Sequence, residues 1–508
     1  MKKFFKFLGS YKFVLALTFL INVAIFAVVT LFLGYYFYVW FQILGVLIIV
    51  GFLNKHNESP SYKLMWMAII IVAPLFGAAL YYQVKGRRGT KRTLKAWQNV
   101  NHTSLKYLEQ DNEVLESLTR LEPKSANLSR YALATEKWPV YTNTTPTYLK
   151  DGETYFNELF EDLKKAKKFI FLEYFIIEPG KVWEELFNIL RLKAREGVEV
   201  KLIYDDFGCV DRFEDKKFFK KLVNHGIEAV AFNKVVPTVN SFSQYRDHRK
   251  IVVIDGKTAY TGGINVGDEY ANQVKKYGHW KDTGVKIVGD AVWNFTVMFL
   301  NNWQVATKKS IDILNYKVNF EVQPKVKDYV QPYGTGPINN SAIARNIYMK
   351  AISSATKYIY ITTPYFIIDQ ELMDCIKLTA LSGVDVRIVT PGIPDKKWGV
   401  YLTRSYYEQL LKAGVKIYEY TPGFIHAKMV VSDDDTAIIG TTNFDFRSLY
   451  LHFECGTIIH NSKTVNAVKQ DIDTTMGSSH LITLRDVKQR KWYEKILAQI
   501  LKFFAPLM

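Results

Sequence analysis

The chain of 508 residues has little cysteine: only Cys209, Cys375 and Cys455, widely spaced and odd in number. This excludes a disulfide framework, and the three positions form no zinc-ligand cluster. The sequence also lacks the pattern G-x-x-x-x-G-K-[ST], which is typical of proteins that bind nucleoside triphosphates. We therefore expect no cofactor and no metal. Any catalysis would then depend on the protein's own polar side chains.

Charged residues are absent from Val14 to Leu53, a stretch of about 40 positions. A helix rises about 1.5 Å per residue and the apolar core of a bilayer is about 30 Å thick, so this stretch is long enough to cross twice. A further apolar run, Leu64 to Tyr82, is also of spanning length. These runs are too long for a cleaved signal peptide. We predict a membrane anchor over residues 1–90, with two or three spans at about 14–33, 36–53 and 64–82.

Basic residues flank the apolar runs and are in excess over the whole chain. The net charge of +17 predicts attraction to acidic lipid, a phosphorylated substrate or nucleic acid. Lysines precede the first run and KGRRGTKRTLK (85–95) follows the last, and both ends are cytoplasmic only if the number of crossings is even. We give the second cluster more weight, because it adjoins the large polar remainder. We expect a multi-pass protein of the cell membrane whose catalytic domain faces the cytoplasm; the number of crossings stays open.

The polar remainder of the chain repeats itself. KFIFLEYFIIE (168–178) resembles KYIYITTPYFIID (357–369), and GVEVKLIYDD (197–206) resembles GVDVRIVTPG (383–392). In each copy, apolar β-rich runs alternate with helical segments. This pattern is typical of an α/β domain whose sheet is covered on both faces.

The repeat predicts how the chain is divided. A connector with helical stretches covers residues 91–137, and the two halves cover residues 138–306 and 325–485. The last segment, 486–508, has apolar positions at helical spacing and is predicted to form an amphipathic helix. Docking onto the body is the preferred role for this helix, and lying in the membrane interface is the alternative.

Another pair of segments, HRKIVVIDGKTAYTGGIN (248–265) and HAKMVVSDDDTAIIGTTN (426–443), agrees position by position. In both, the histidine is followed by a lysine after two positions, an aspartate after seven, a glycine after fourteen and an asparagine after seventeen. Residues two apart in a strand share one face, about 6.5 to 7 Å apart, so an imidazole and an ammonium lie side by side. A single His-x-Lys is usually a solvated pair, but duplication of a strand would not by itself demand both types twice. The candidate catalytic residues are His248, Lys250, Asp255, His426, Lys428 and Asp433, with Asn265 and Asn443 as candidate substrate-binding residues.

Some of these positions have a simpler interpretation. Asp255 and Asp433 stand next to predicted turns, so a structural role stays open beside a catalytic one. Gly262 is best explained as a permissive backbone position. The first half also has about ten extra residues before its histidine, KVVPTVNSFSQY (234–245), for which a lipid-contacting flap and a plain surface loop are equal alternatives.

The doubled pattern H-x-K-x₄-D-x₆-G-x-x-N resembles the signature of the phospholipase D superfamily. Longer segments, among them YRDHRKIVVIDG, HWKDT, PYFIID and NFDFRSLYLHFE, resemble the bacterial cardiolipin synthases, as does the order of membrane-type runs followed by KGRRGTKR. The resemblance covers nearly the whole chain; it departs in the long N-terminal apolar stretch and in Asp434-Asp435 at the second turn. It implies an α/β fold of two repeated phospholipase D-like domains that share one active site, preceded by N-terminal transmembrane helices.

The resemblance also implies a mechanism, namely phosphodiester exchange through a covalent phosphohistidine. His248 would be the nucleophile and His426 the acid and base, although the symmetry leaves the reverse assignment open. The lysines and asparagines would hold the non-bridging oxygens. The family pattern adds two orienting carboxylates, Asp282 in HWKDT and Glu454 in LHFE, each about 30 residues after its histidine.

The implied reaction is transfer of a phosphatidyl group from one phosphatidylglycerol to another, which gives cardiolipin and glycerol. The implied partners are phosphatidylglycerol, other anionic phospholipids and the membrane, with no nucleic acid. Hydrolysis by a phospholipase D and other phosphatidyltransferase reactions stay open, because water and alcohols compete for the same phosphohistidine. A nuclease would suit the positive charge but not the membrane-type runs. Two complete His-x-Lys sets argue against a non-catalytic scaffold.

Overall fold

The computed structural model describes residues 88–507 except 210, 214–217, 236–243, 320–327 and 340, together with residues 42–51, 60–72 and scattered positions within 20–40 and 77–81. Most of the first predicted span and most of the predicted flap at 234–245 fall outside the described residues, and the other two spans are described in part. Among the residues described, none of the helices combines the length and the apolar character needed to cross a bilayer.

The strands are short and alternate with helices along both halves. They are β1 Thr144–Leu149, β2 Phe169–Tyr174, β3 Glu199–Asp205, β4 Ile227–Phe232, β5 Lys250–Ile254, β6 Thr258–Gly262, β7 His279–Lys281, β8 Gly284–Gly289, β9 Tyr329–Thr335, β10 Tyr358–Thr362, β11 Phe366–Ile367, β12 Asp385–Pro391, β13 Lys416–Tyr420, β14 Gly423–Ile425, β15 Met429–Ser432, β16 Thr436–Gly440, β17 Phe444–Asp445, β18 Glu454–His460 and β19 Ser479–Ile482.

The helices include four that come before the first strand and two that follow the last one. They are α1 Pro60–Val72, α2 Arg88–Ser104, α3 Asn112–Leu121, α4 Pro123–Glu136, α5 Gly152–Lys164, α6 Lys181–Arg195, α7 Asp206–Cys209, α8 Phe218–Lys221, α9 Val292–Thr307, α10 Ile343–Ser354, α11 Gln370–Leu381, α12 Lys397–Arg404, α13 Tyr407–Lys412, α14 Phe446–Tyr450, α15 Lys463–Gly477, α16 Leu484–Lys488 and α17 Trp492–Phe504.

The two halves form two mixed sheets with the same strand order. The first sheet runs β1-β8-β6-β5-β2-β3-β4, and the second runs β9-β18-β16-β15-β10-β12-β13 with β19 added at the end. In each sheet the last three strands of the shared order are parallel, and a hairpin of two antiparallel strands, β5-β6 or β15-β16, lies beside them. The predicted repeat and the α/β class of the two halves are confirmed.

Alternation along the central strands explains why both faces of each sheet are covered. In β2, Ile170 and Leu172 belong to one hydrophobic core, whereas Phe169 and Phe171 belong to another. Side chains point to opposite faces of a strand in turn, so a strand that is buried at every position needs packing on both sides. The helices α5 and α6 supply it on one face, and α9 supplies it on the other.

The larger of these cores joins the two halves. It contains Phe171 of the first sheet and Ile361 of the second, and strand β6 contacts β16 and β18 directly. The helices predicted as a connector also pack on this body, since Trp97 of α2 and Leu128 of α4 belong to the same core. The two hairpins that carry the histidines are therefore held in a fixed relation to each other.

Candidate active site

The repeated histidines face a single cavity. His248 and His426 each lie just before the first strand of their hairpin, and both line a cavity of about 640 Å³ together with Asn265 and Asn443. Both imidazoles are buried, with 7% and 8% of their surface exposed. The two copies of the pattern, which are far apart in the sequence, thus contribute to one cavity, and this cavity is large enough for a phospholipid headgroup.

Each histidine is held by a carboxylate from the other half. Nδ1 of His248 lies 3.0 Å from both carboxylate oxygens of Glu454, and Nδ1 of His426 lies 2.6 Å from Oδ2 of Asp282. The sequence interpretation put each carboxylate after the histidine of its own half, and that pairing is wrong. A carboxylate on Nδ1 fixes the orientation of the ring and leaves Nε2 for the cavity.

Backbone pairing between the halves produces this exchange. Strand β7, which precedes Asp282, runs parallel to β14, and the amide N–H of His426 donates to the carbonyl of Lys281 over 2.7 Å. On the other side, the amide N–H of His248 donates to the carbonyl of Phe453 over 2.9 Å. Each carboxylate is therefore delivered by a segment that hydrogen-bonds directly to the backbone of its histidine.

The two lysines of the pattern are buried beside their histidines. Nζ of Lys250 donates to the carbonyl oxygen of His248, and Nζ of Lys428 donates to that of His426. Burial lowers the pKa of Lys250 to about 8 and that of Lys428 to about 7. Because desolvation disfavours both charges, an anion that enters the cavity is bound more strongly than it would be at an exposed pair.

The imidazoles share this electrostatic environment. Burial, followed by the charge of Lys428, lowers the pKa of His426 to about 4 even though Asp282 opposes the shift. Burial and the charge of Lys250 lower the pKa of His248 well below its usual value. Both shifts favour the neutral ring at pH 7, which is the state that a nitrogen nucleophile requires.

Asp255 and Asp433 lie at the opposite ends of their strands from the histidines. Asp255 accepts hydrogen bonds from the backbone N–H groups of residues 167–169, and Asp433 accepts them from residues 356–358, all between 2.7 and 2.9 Å. Asp255 lies seven positions after His248, about 23 Å along an extended chain at about 3.3 Å per residue. This favours the structural role that the sequence left open beside the catalytic one: a left-handed turn (φ 54° in both) aims each carboxylate at the start of the neighbouring strand.

The two asparagines differ in their contacts. Oδ1 of Asn265 accepts from the backbone N–H of Ile176 over 3.0 Å, and its Nδ2 donates to the hydroxyl of Tyr270 over 2.8 Å. Oδ1 of Asn443 is buried and has no hydrogen-bond partner among the residues described. The side chain of Asn265 is thus committed to protein groups, whereas Asn443 retains a polar atom for a ligand.

Comparison with known proteins agrees with this site. The family described as "Cardiolipin synthase, PLD-like domain" matches residues 159–276 and 348–476. A cardiolipin synthase of Halalkalibacterium halodurans is 33% identical over 89% of this chain and 90% of its own length. A cardiolipin synthase 2 of Bacillus anthracis is also 33% identical, over 89% of this chain and 88% of its own length.

The chain belongs to the cardiolipin synthase family. It is an enzyme of the phospholipase D-type phosphatidyltransferases, as the resemblance implied. An uncharacterized protein of Streptococcus mutans is 39% identical over 90% of this chain and 98% of its own length. The crystal structure of phosphatidylserine synthase from Haemophilus influenzae shares the fold, with a TM-score of 0.57 at 16% identity over 74% of this chain and 97% of that one.

Within this cardiolipin synthase site, two rings that the sequence interpretation missed break the two-fold symmetry. Trp280 and His452 each stand two residues before an orienting carboxylate, and that shared spacing was the available signal. The ring of Trp280 lies 5.3 Å from that of His426, and the ring of His452 lies 5.7 Å from that of His248. One catalytic imidazole therefore neighbours an indole, and the other neighbours a third imidazole.

The third imidazole also creates a group of metal-ligand type. One ligand atom each from His248, His452 and Glu454 lie within 4.8 Å of one another, and Nδ1 of His452 has no hydrogen-bond partner among the residues described. Burial lowers the pKa of His452, the charges of Lys250 and two arginines lower it further, and the same positive charges oppose a cation. The absence of a metal from the reaction stays a prediction.

Charged and aromatic side chains line much of the rest of the cavity. The basic ones are Arg212, Lys276, Lys396 and Arg447, and the acidic ones are Asp211, Glu269, Asp395 and Asp445. At the rim, Phe207 and Trp398 are 57% and 39% exposed. The basic groups can bind an anionic headgroup, and the exposed aromatic rings at the mouth suit the acyl chains attached to it.

Proposed function

We propose that the chain makes cardiolipin from two molecules of phosphatidylglycerol, with release of glycerol. The observation that carries the proposal is the pair of crossed histidine–carboxylate contacts around one cavity, each beside a buried lysine. Two neutral imidazoles on one phosphate supply a nucleophile and an acid–base group in a single site. The curated relatives named cardiolipin synthase support the choice of substrate.

In the first half-reaction, Nε2 of His248 forms a bond to phosphorus while the bond from phosphorus to the headgroup oxygen breaks. His426, protonated once the phosphate anion offsets the lysine charges, gives its proton to the leaving glycerol. In the second, His426 takes the proton from a headgroup hydroxyl of another phosphatidylglycerol. The oxygen of that hydroxyl bonds to phosphorus as the phosphorus–nitrogen bond breaks.

The two carboxylates favour this assignment of roles. Burial raises the pKa of Glu454 to about 8, so the partner of His248 gives little support to an imidazolium. Asp282 raises the pKa of His426 through a hydrogen bond of 2.6 Å, against the larger effects of burial and Lys428. His426 is thus the better proton carrier. The near symmetry of the halves keeps the reverse assignment as the alternative.

Buried cations stabilise the charge that develops on the non-bridging oxygens. The ammonium groups of Lys250 and Lys428, each buried beside its histidine, are the groups we assign to this task, with Asn265 holding the loop next to the cavity. Fixed charges in a site that excludes water stabilise a phosphorane more than solvent does. Since one phosphodiester replaces another, the exchange needs no nucleotide.

The finer organisation of the chain belongs to the same proposal. Residues 1–90 would anchor the enzyme as a multi-pass protein of the cell membrane with the catalytic body on the cytoplasmic side, as the charge pattern indicates. Residues 138–306 and 325–485 would be the two phospholipase D-like domains. The anchor keeps the cavity at the lipid surface, where the charge of +17 concentrates anionic substrate.

The test is synthesis in vesicles of phosphatidylglycerol by the purified full-length protein. We expect cardiolipin and glycerol in equal amounts, without nucleotide and in the presence of a chelator. His248→Ala and His426→Ala should each abolish turnover, while Asn265→Ser, which changes a side chain engaged with protein groups, should retain more of it. Release of phosphatidic acid in place of cardiolipin would identify a phospholipase D. Loss of activity in chelator would refute the metal-free scheme.

A further inference from the structure

The C-terminal helix α17, Trp492–Phe504, docks on the body through a narrow side around Ala498. Among the residues of the helix only Ala498 is fully buried, and Leu501 packs partly against the main core. Just before the helix, Nη1 of Arg490 donates to the carbonyl of Arg404 at the end of α12, over 2.9 Å. The helix is therefore held in place by a short line of contacts.

The apolar side of the same helix faces outward. Its exposed fractions run from 37% for Phe504 to 74% for Trp492. At 100° per residue, the exposed apolar residues cover one continuous face of about 140°. They are Trp492, Tyr493, Ile496, Leu497, Ile500, Phe503 and Phe504. A helix that served only to complete the body would bury this face and expose the other one, so the orientation indicates an apolar partner outside the described part of the chain.

Charge and position point to a bilayer as that partner. Lys488 and Lys491 are exposed just before the helix and Lys495 is exposed in its first turn, with Trp492 and Tyr493 at the beginning of the apolar face. Lysines above a face of aromatic and aliphatic side chains match the boundary between anionic headgroups and acyl chains. These lysines would repel the same lysines of a second copy of this chain, so they do not favour a second copy as the partner.

Helix α1 lies beside the turn that follows α17. The turn Ala505–Leu507, directly after α17, contacts α1, Pro60–Val72. On α1, Leu64 and Val72 are 63% and 75% exposed. Helix α1 therefore contacts the turn that follows α17, and both helices carry exposed apolar side chains.

Helix α12 connects this surface to the cavity. Near its beginning, Trp398 lines the cavity, and its last residue, Arg404, contacts the segment before α17. Trp398 and Arg404 are six residues apart, about 9 Å along the helix at about 1.5 Å per residue. A bilayer surface that meets α17 is therefore close to the rim formed by Trp398.

We propose that α17 lies in the headgroup region of an anionic bilayer and, through α12, holds the cavity mouth against the lipid surface. The preference for docking alone, drawn from the sequence, is replaced by a helix with both contacts. The proposal concerns a membrane-binding surface, and it stands whichever phosphodiester the cavity processes.

The direct test is depth measurement on the full-length protein in phosphatidylglycerol vesicles. Ile500→Cys is labelled with an environment-sensitive fluorophore and quenched by lipids with nitroxides on their acyl chains. Lys495→Cys, outside the apolar face of α17, is the matched control, and the wild type gives the background from its three cysteines. We expect a blue shift and at least about threefold stronger quenching at position 500. Equal quenching at both positions, or none at 500, overturns the proposal.

A second test uses charge and separates surface binding from chemistry. Ile496→Lys with Ile500→Lys should lower activity on vesicles at least about fivefold, through a higher apparent KM, and leave activity on detergent-dispersed substrate unchanged. Gln499→Lys, which adds charge outside the apolar face, should behave as wild type. Unchanged vesicle activity in the double variant contradicts the proposal, and so does cross-linking of two copies of the Ile500→Cys variant without quenching. Quenching without any cardiolipin synthesis would refute the proposed reaction alone.

Discussion

The crossed contact between Asp282 and His426 leads to a prediction about which half-reaction each carboxylate serves. Asp282→Asn keeps the size of the side chain and the hydrogen bond that Oδ1 accepts from the N–H of Thr283 over 2.9 Å. It removes the negative charge 2.6 Å from Nδ1 of His426 and offers an N–H in its place. The imidazolium of His426 then loses its partner, and the neutral ring is held in the wrong tautomer.

The expected loss follows from the role of a general acid. Such a group contributes about 10²- to 10⁴-fold, so we expect kcat with phosphatidylglycerol to fall about 10³-fold. At about 1.36 kcal/mol per factor of ten, this corresponds to about 4 kcal/mol of transition-state stabilisation. Glu454→Gln, which acts on His248, should cause a loss of similar size.

A phosphodiester with a p-nitrophenol leaving group separates the two variants, because nitrophenolate leaves without a proton. Asp282→Asn should form the phosphohistidine from this substrate within about tenfold of the wild-type rate, seen as a burst of nitrophenolate, since the acid is no longer needed. Glu454→Gln should lose the burst, because the nucleophile itself is misoriented. A burst in Glu454→Gln but not in Asp282→Asn would reverse the roles of the histidines. Equal loss in both would refute the reasoning from separate partners, provided that the thermal unfolding of the variants matches wild type.

Three further outcomes are expected. Burial lowers the pKa of Lys428 to about 7 and that of Lys250 to about 8, and only the ammonium form of each attracts phosphate. We therefore expect kcat/KM to fall as pH rises from about 7 to about 9. In Lys428→Arg this fall should begin at least about one pH unit higher. Asp433→Asn weakens hydrogen bonds to three backbone N–H groups and to Lys124, so it should lower the unfolding free energy by about 2 to 3 kcal/mol in denaturant titrations. The folded variant should keep kcat within about fivefold of the wild-type value. These contacts outweigh burial and lower the pKa of Asp433 to about 2. The stability that Asp433 gives to the fold is therefore present above about pH 4 and is lost as pH falls towards about 2. Acid titration of the unfolding free energy of wild type and of Asp433→Asn would measure this loss.

Much of the body was accessible from the repeated segments. Two equal copies of a strand–helix pattern predict two equal sheets, and the spacing of His248 and Lys250 places both side chains at one strand end. The division of the apolar residues of β2 between two cores follows from the same alternation.

The exchange of carboxylates could not be predicted in this way. Asp282 and Glu454 stand at similar distances after the histidines of their own halves, so the spacing favours pairing within a half as much as pairing between halves. Only the position of β7 beside β14, a contact between segments far apart in the sequence, decides between them. Helix α17 shows the same limit: its periodicity reveals an apolar face, but which face docks depends on the surface of the body beneath it.

The exchanged carboxylates have a consequence for how the enzyme assembles. Neither lobe holds a complete catalytic unit, because each carries the acid that orients the ring of its sibling. A lobe produced alone would retain its imidazole and lysine and still lack the group that fixes the ring. The duplicated sequence therefore behaves as one indivisible catalyst, and a shift of one lobe against the other would disable both histidines at once.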